Sequence, residues 1–195
     1  EDINLTCDSI IFFSKNNKLE STGNPIIEDT KYRLTANKLM YFTDLDSGIA
    51  VGNVELLQNN QRIKADKIEY RKKSNAVSYL ATGNVKIIDS LRTATCGLAS
   101  YDASNEKTVL DLKPKIINKD RVINGDQIIL NYNDDVLKKI FIPKNANISS
   151  ISEGYDQANN DSLKTILNFD DRMNSKSLNG FFINGDLDSL RLVGM

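Results

Sequence analysis

The sequence predicts an all-β fold of stacked rungs, and three observations carry that reading. First, segments such as Ile63-Lys64-Ala65, Val85-Lys86-Ile87 and Leu190-Arg191-Leu192 alternate apolar and polar residues with period two. That is the pattern of half-buried strands, and no long stretch shows a clean helical period. Second, one pattern recurs along the chain, opening at Gly23-Asn24-Pro25, Gly52-Asn53-Val54, Gly83-Asn84-Val85 and Pro114-Lys115-Ile116. Every opening is followed, at one and the same distance, by a tyrosine: Tyr41, Tyr70, Tyr101 and Tyr132. A period of about 30 residues means supersecondary units that cannot bury a core alone and must stack. Third, the segments are separated by Asn-rich turns, and Asn tolerates left-handed backbone.

Taken in order, the N-terminus holds half a unit. Cys7-Asp8-Ser9-Ile10-Ile11-Phe12 matches Ala36 to Tyr41 and Ala65 to Tyr70, and Phe12 stands as far before Gly23 as Tyr41 before Gly52. The clearest unit reads as three strands: Val54 to Gln58, Gln61 to Arg71, and Val77 to Ala81, the last leading into Gly83. Polar turns separate them at Asn59-Asn60 and Lys72 to Asn75, with counterparts at Asn16-Asn17 and Ser104-Asn105. Within the long strand the apolar phase slips: Ile63 and Ala65 share one parity, Ile68 and Tyr70 the other. Leu34 and Ala36, then Leu39 and Tyr41, repeat the slip. A phase change kept in two copies predicts a corner or bulge that bends the strand while both halves face one core.

Beyond about Lys144 the repeat dissolves. Glu153 to Ser162 reads as an exposed loop, Leu163 to Phe169 as one more strand, and Asp170 to Ser177 as polar connection. Phe181-Phe182-Ile183, Asn184-Gly185 and Leu187 to Val193 form a hairpin signal, because Asn-Gly suits the type I′ turn. The chain stops at Gly194-Met195 directly after an apolar run, which reads as a cut rather than a natural terminus. The whole is expected to be one domain, 1–195, with clear repeats over 4–142 and irregular rungs and a loop over 143–195.

Composition narrows the function. At 195 residues the chain buries a sizeable core without disulfide or metal staples. Twenty-five Lys plus Arg against 26 Asp plus Glu give a net charge of −1, which argues against a nucleic-acid partner. With no His, there is no Ser-His-Asp, Cys-His or His-metal site in the chain. Cys7 and Cys96 form no CxxC pair; both occupy the slot before the aromatic that Ala36 and Ala65 fill in other copies, so a buried thiol in a small slot is the expectation. Asp134-Asp135 and Asp170-Asp171 can be weighed as paired catalytic carboxylates, and both read as solvated loop charge. No cofactor is implied. The first residues, Glu1 and Asp2, carry no secretory signal.

The strings GNVELL, RIKADKIEY and ATGNVKII resemble the OstA/LptA family of lipopolysaccharide-transport proteins, which includes LptA, LptC and the N-terminal domain of LptD. The features shared are a Gly-Asn-Val opening (Gly52 to Val54), an Ala-Asp-x-Ile-x-Tyr strand (Ala65 to Tyr70) and an Ala-x-Gly-Asn-Val return (Ala81 to Val85). The match covers residues 4 to about 142, with weaker likeness at Leu178-Asn179-Gly180 and Leu190 to Met195. The resemblance implies an open β-jellyroll, or β-taco: two sheets folded over an apolar groove. It also implies a non-enzymatic periplasmic protein that shelters the acyl chains of lipopolysaccharide and joins other β-jellyrolls edge to edge. Head-to-tail self-association would follow from the same open edges, around Ile3 to Phe13 and Leu187 to Val193.

The groove residues this implies are Ile27, Leu34, Leu39, Val54, Leu56, Ile63, Ile68, Val85 and Ile87. On the repeat's own terms these are core residues first. Two other classes stay open from the sequence: a structural β-solenoid or adhesin-type module binding polysaccharide or protein with no lipid groove, and a carboxylate enzyme on a β-helix scaffold. A filled interior distinguishes the solenoid from the lipid carrier.

Overall fold

The computed structural model describes residues 4–28, 30, 32–58, 61–73, 76–134, 136–150, 152–155, 165–168, 171–183 and 186–194. The chain begins with β1 (Asn4–Thr6), β2 (Ser9–Phe13), β3 (Lys18–Thr22), β4 (Ile26–Glu28), β5 (Tyr32–Thr35) and β6 (Lys38–Phe42). Four long strands follow: β7 (Ser47–Gln58), β8 (Gln61–Lys73), β9 (Ala76–Ile88) and β10 (Arg92–Asp102). Shorter ones come next, β11 (Lys107–Asp111), β12 (Lys115–Asn118), β13 (Arg121–Asn124), β14 (Ile128–Asn133), β15 (Val136–Ile142) and β16 (Ala146–Ser150). Last are β17 (Ser152–Tyr155), β18 (Thr165–Asn168), β19 (Arg172–Ser175), β20 (Ser177–Ile183) and β21 (Asp186–Val193). Among the described residues, nineteen strands belong to one sheet, and β17 pairs only with β18. Every pairing is antiparallel, and the only helical pieces among the described residues are 3-10 turns at Thr43–Leu45 and Ala103–Asn105.

The single sheet is folded along a crease into two arms. Arm A runs β1, β4, β5, the second half of β7, the first half of β8, the second half of β9, the first half of β10, β12, β13, β16, β19. Arm B runs β2, β3, β6, the other halves of β7 to β10, then β11, β14, β15, β20, β21. The long strands cross from one arm to the other, and their register shifts where they cross: between Val51 and Val54, Lys64 and Lys67, Cys96 and Leu98. These shifts fall at the phase slip read from the sequence, so the slip is a bulge. Ala65 and Ile68 are both buried although their parities differ.

Paired left-handed residues make the crease. Gly23 and Asn24, Gly52 and Asn53, and Gly83 and Asn84 all have φ between 47° and 79°, a region that glycine enters freely and Asn more readily than most residues. Opposite each pair stands a short polar side chain. Asn84 donates to the Asp66 carboxylate at 2.9 Å, and Asn145 to Asp126 at 2.9 Å. A methyl group at Gly83 would run into Asp66.

Several sequence expectations are redrawn by this geometry. The Gly-Asn-Val strings lie inside strands, so the strands ending at Ala81 and beginning at Val85 are one bent strand. In the fourth unit the left-handed pair is Leu112 and Lys113, with φ of 60° and 62°, directly before Pro114. The register of arm B then places Leu130, not Tyr132, across from Thr108, in the row that Tyr70 and Tyr101 share. Tyr132 comes just after the register shift between β14 and β15, where β15 carries the extra residue, Lys138. The repeat also continues past Lys144: Asn145 is left-handed, and β16 and β20 add a strand to each arm. The expected hairpin is β20–β21, its Asn184-Gly185 turn outside the described residues. Part of the expected loop, Glu153 to Tyr155, is strand, while 156–164 lie outside them.

Candidate functional site

The interior between the arms is built from rows of residues aligned strand to strand. On arm A one row reads Leu5, Ile27, Leu34, Leu56, Ile63, Ile87, Ala94, Ile116, Ile123, Ile148, Met173. No polar residue interrupts it. On arm B the facing row reads Ile10, Ser21, Leu39, Ala50, Ile68, Ala81, Ala99, Leu110, Ile128, and later Ile142, Leu178, Leu192. A second row on arm B, nearer the free tips, reads Phe12, Leu19, Tyr41, Gly48, Tyr70, Tyr79, Tyr101, Thr108, Leu130, Ile140, Gly180, Leu190. Each is the product of period-two alternation held in register.

Burial changes along these rows. Leu5, Ile27, Leu34 and Leu56 point inward yet remain half-buried, as do Leu19, Tyr41 and Tyr70. At the N-terminal end Ile10 and Phe12 are 53% and 57% exposed. Further on, Leu110, Ile116, Ile123, Ile128, Ile140, Ile142 and Leu178 are all at most 2% exposed. Side-chain volume explains the difference. Along arm B the inner row mixes large and small residues up to Ala99 (Ser21, Leu39, Ala50, Ile68, Ala81, Ala99), and from Leu110 onward it holds only Leu and Ile. Small residues opposite large ones leave apolar surface uncovered, whereas large on both arms interdigitate. The Ser21 hydroxyl is buried without a hydrogen-bond partner.

The tips of arm A reach arm B at an offset. Burial raises the Tyr132 phenol, against hydrogen bonds with Thr108 and Gln61 and the charge of Arg92. Gln61 begins β8, so this contact lands on β14, four strands further along arm B (β9, β10, β11, β14). Arg92, beginning β10, lies 5.6 Å from the Phe182 ring centroid on β20, again four strands on (β11, β14, β15, β20). Lys119, between β12 and β13, pairs with Asp186 of β21 at 2.6 Å. Four strands at about 4.8 Å make the offset roughly 19 Å, the accumulated twist of a long sheet. These clasps all fall on the second half of arm B.

Between the halves, on the mouth, Tyr79 and Tyr101 stack with ring centroids 5.0 Å apart and planes 26° from parallel. Gln58, Gln61, Ile63, Thr108 and Tyr132 complete the lining of a cavity of about 40 Å³ beside them. Burial pushes the Tyr79 phenol far up. Nearer the N-terminus the Tyr41 phenol is pushed up to about 12 by burial and by its 2.7 Å hydrogen bond to Asp46. On the outer face Lys18 and Lys38 hold Glu20 below the usual carboxylate range.

The expected groove residues all face the interior, but they divide. Ile27, Leu34, Leu56 and Ile87 keep accessible surface; Leu39, Val54, Ile63, Ile68 and Val85 are core, each at most 5% exposed. Leu5, Leu19 and Phe12 join the inward rows without having been expected there, although their alternation in the first, incomplete unit is a signal for it. The tyrosine cluster at the mouth escapes sequence reasoning as a unit because Tyr79 lies off the repeat's marker. Cys7 is half-buried and Cys96 buried, both free thiols. Asp134 and Asp171 are exposed; Asp135 and Asp170 lie outside the described residues. No group of three His, Cys, Asp or Glu among the described residues is placed to hold a metal ion.

Residues 43–136 match the family model described as LptA/(LptD N-terminal domain) LPS transport protein. Among solved structures, the chain is similar to LptH, the LptA homologous periplasmic component of the conserved lipopolysaccharide transport device from Pseudomonas aeruginosa. The identity is 13% and the TM-score 0.32, over 86% of this chain and 93% of that one. Comparison with curated proteins gives no match.

Proposed function

As residues 43–136 match the model of the LptA/(LptD N-terminal domain) LPS transport family, we propose that the chain shelters lipopolysaccharide acyl chains in the N-terminal half of its interior. One observation carries this: the inward row Leu5, Ile27, Leu34, Leu56 is only half-buried although it faces the interior. Each methylene moved from water to such a surface gains about 0.8 kcal/mol, so burial alone holds a chain of ordinary length. A β-solenoid with a filled interior would cover this row as completely as Ile116 and Ile123 are covered.

The same reading gives the chain a periplasmic setting and a use for its ends. Within the described residues, β2 pairs only with β3, and β21 only with β20. Backbone groups on those outer edges suit strand addition from a second β-jellyroll.

Native mass spectrometry after gentle extraction tests the lipid. Wild type should carry lipopolysaccharide, and Leu34→Glu should lose it while its melting curve stays cooperative, because Leu34 is only half-buried. Equal lipid on both proteins would refute the N-terminal chamber. Light scattering tests the edges: wild type should grow with concentration, and Ile10→Pro, losing a donor on β2, should grow less.

A further inference from the structure

Resting on that reading, we propose that Tyr79, Tyr101 and Tyr132, clasped to Gln61, form an end stop that limits how far an acyl chain extends along the interior. The inner row of arm B reads Ala50, Ile68, Ala81, Ala99 up to this place and holds only large residues, Leu110, Ile128 and Ile142, beyond it. On the open side of that change three phenols fill the mouth. Tyr79 is buried and stacked on Tyr101, and Tyr132 lines one cavity with Thr108 of arm B and Gln61 of arm A. The cavity left there is about 40 Å³, room for a few waters but not for an alkyl chain.

Chemistry reinforces the geometry. Gln58, Gln61, Thr108 and the phenols give the cavity polar walls. An alkyl chain pushed into it would displace water from those groups without replacing any hydrogen bond, which costs free energy at each group left unpaired. Passing beyond requires parting the rings, breaking the Gln61–Tyr132 clasp and entering a core with no empty row. A chain entering from the N-terminal side therefore gains apolar contact on the half-buried Leu34, Leu56 and Ile87 and nothing past them.

Displacement of the fluorescent probe N-phenyl-1-naphthylamine by a series of saturated fatty acids of increasing length tests the stop. In wild type the affinity should rise about fourfold per added methylene and then level at a limiting length. Tyr79→Ala with Tyr101→Ala should move the levelling point to longer chains. Leu178→Ala, which opens space beyond the stop, should leave that point in place. An unmoved levelling point in the double variant, or a moved one in Leu178→Ala, overturns the stop and leaves the chamber standing. No displacement at any length overturns the chamber and the stop together. Should the double variant not fold, Tyr132→Phe, which keeps the ring and loses only the hydroxyl held by Gln61, decides by the same criterion.

Discussion

The two halves of the interior share one backbone plan and differ in how it is filled. In the N-terminal half, the inward-facing Leu34 and Leu56 remain half-buried; in the C-terminal half, Ile116 and Ile123 on one arm and Leu110, Ile128 and Ile142 on the other are all closed off. Strand pairing is as complete in one half as in the other. The difference teaches that a sheet folded on itself becomes a container or a core according to side-chain volume in a single row. The clasps follow the same division. Gln61, Arg92 and Lys119 all reach the second half of arm B, because twist carries arm A's tips toward it.

The strongest way to break the comparison is to charge the row itself. Ile68→Asp places a carboxylate at a 3% exposed position with apolar neighbours, and cooperative thermal unfolding should disappear. An unchanged melting midpoint would mean that Ile68 faces outward. Next comes the contrast between halves. Leu178→Ala should cost about 2–5 kcal/mol in urea unfolding, as a fully enclosed leucine does. Leu34→Ala should cost no more than about 1–2 kcal/mol, since much of that side chain already meets solvent. Equal losses would erase the distinction.

Smaller effects sharpen it. Gly83→Ala adds a methyl at a φ of 73° against Asp66, and a loss of about 1–3 kcal/mol is expected by the same measurement. Burial pushes the Cys96 thiol from its ordinary 9 up to about 11. The unfolded chain therefore releases this proton first, and stability should decline as pH rises from about 9 toward 11; Cys96→Ala should flatten that decline. Smallest of all is Lys119→Ala. Its ion pair with Asp186 is largely exposed, so the change should stay within about 0.5 kcal/mol and fade in salt.

Much of the fold was legible because period-two alternation fixes which face each residue takes. The slip between Ala65 and Ile68 located the crease, since only an extra residue keeps both on one side. The left-handed pair at Leu112 and Lys113 was not legible: neither residue type advertises positive φ, and Pro114 drew the alignment too far along the chain. The fifth crossing at Asn145 was hidden for a similar reason, lacking the Gly-Asn-Val string. Of the site, the inward rows were readable and their openness was not. Openness depends on how the side chains of the two arms together fill the space between them, and alternation along one strand says nothing about volume across a gap. The Gln61–Tyr132 contact was further out of reach, because it arises from twist summed over four strands.

The crease sets how the molecule deforms. Backbone hydrogen bonds between neighbouring strands run parallel to it, along the length of the stack, and the strands that cross it join the arms covalently. Spreading the arms therefore bends the strands where they cross the crease, as at Gly52-Asn53 and Gly83-Asn84, and breaks no ladder bond. Stretching the stack end to end would break whole ladders at once. The molecule is stiff along its axis and more compliant across its mouth, where the contacts between the arms include Gln61 beside Tyr132, the Arg92 cation over the Phe182 ring and the exposed Lys119–Asp186 pair.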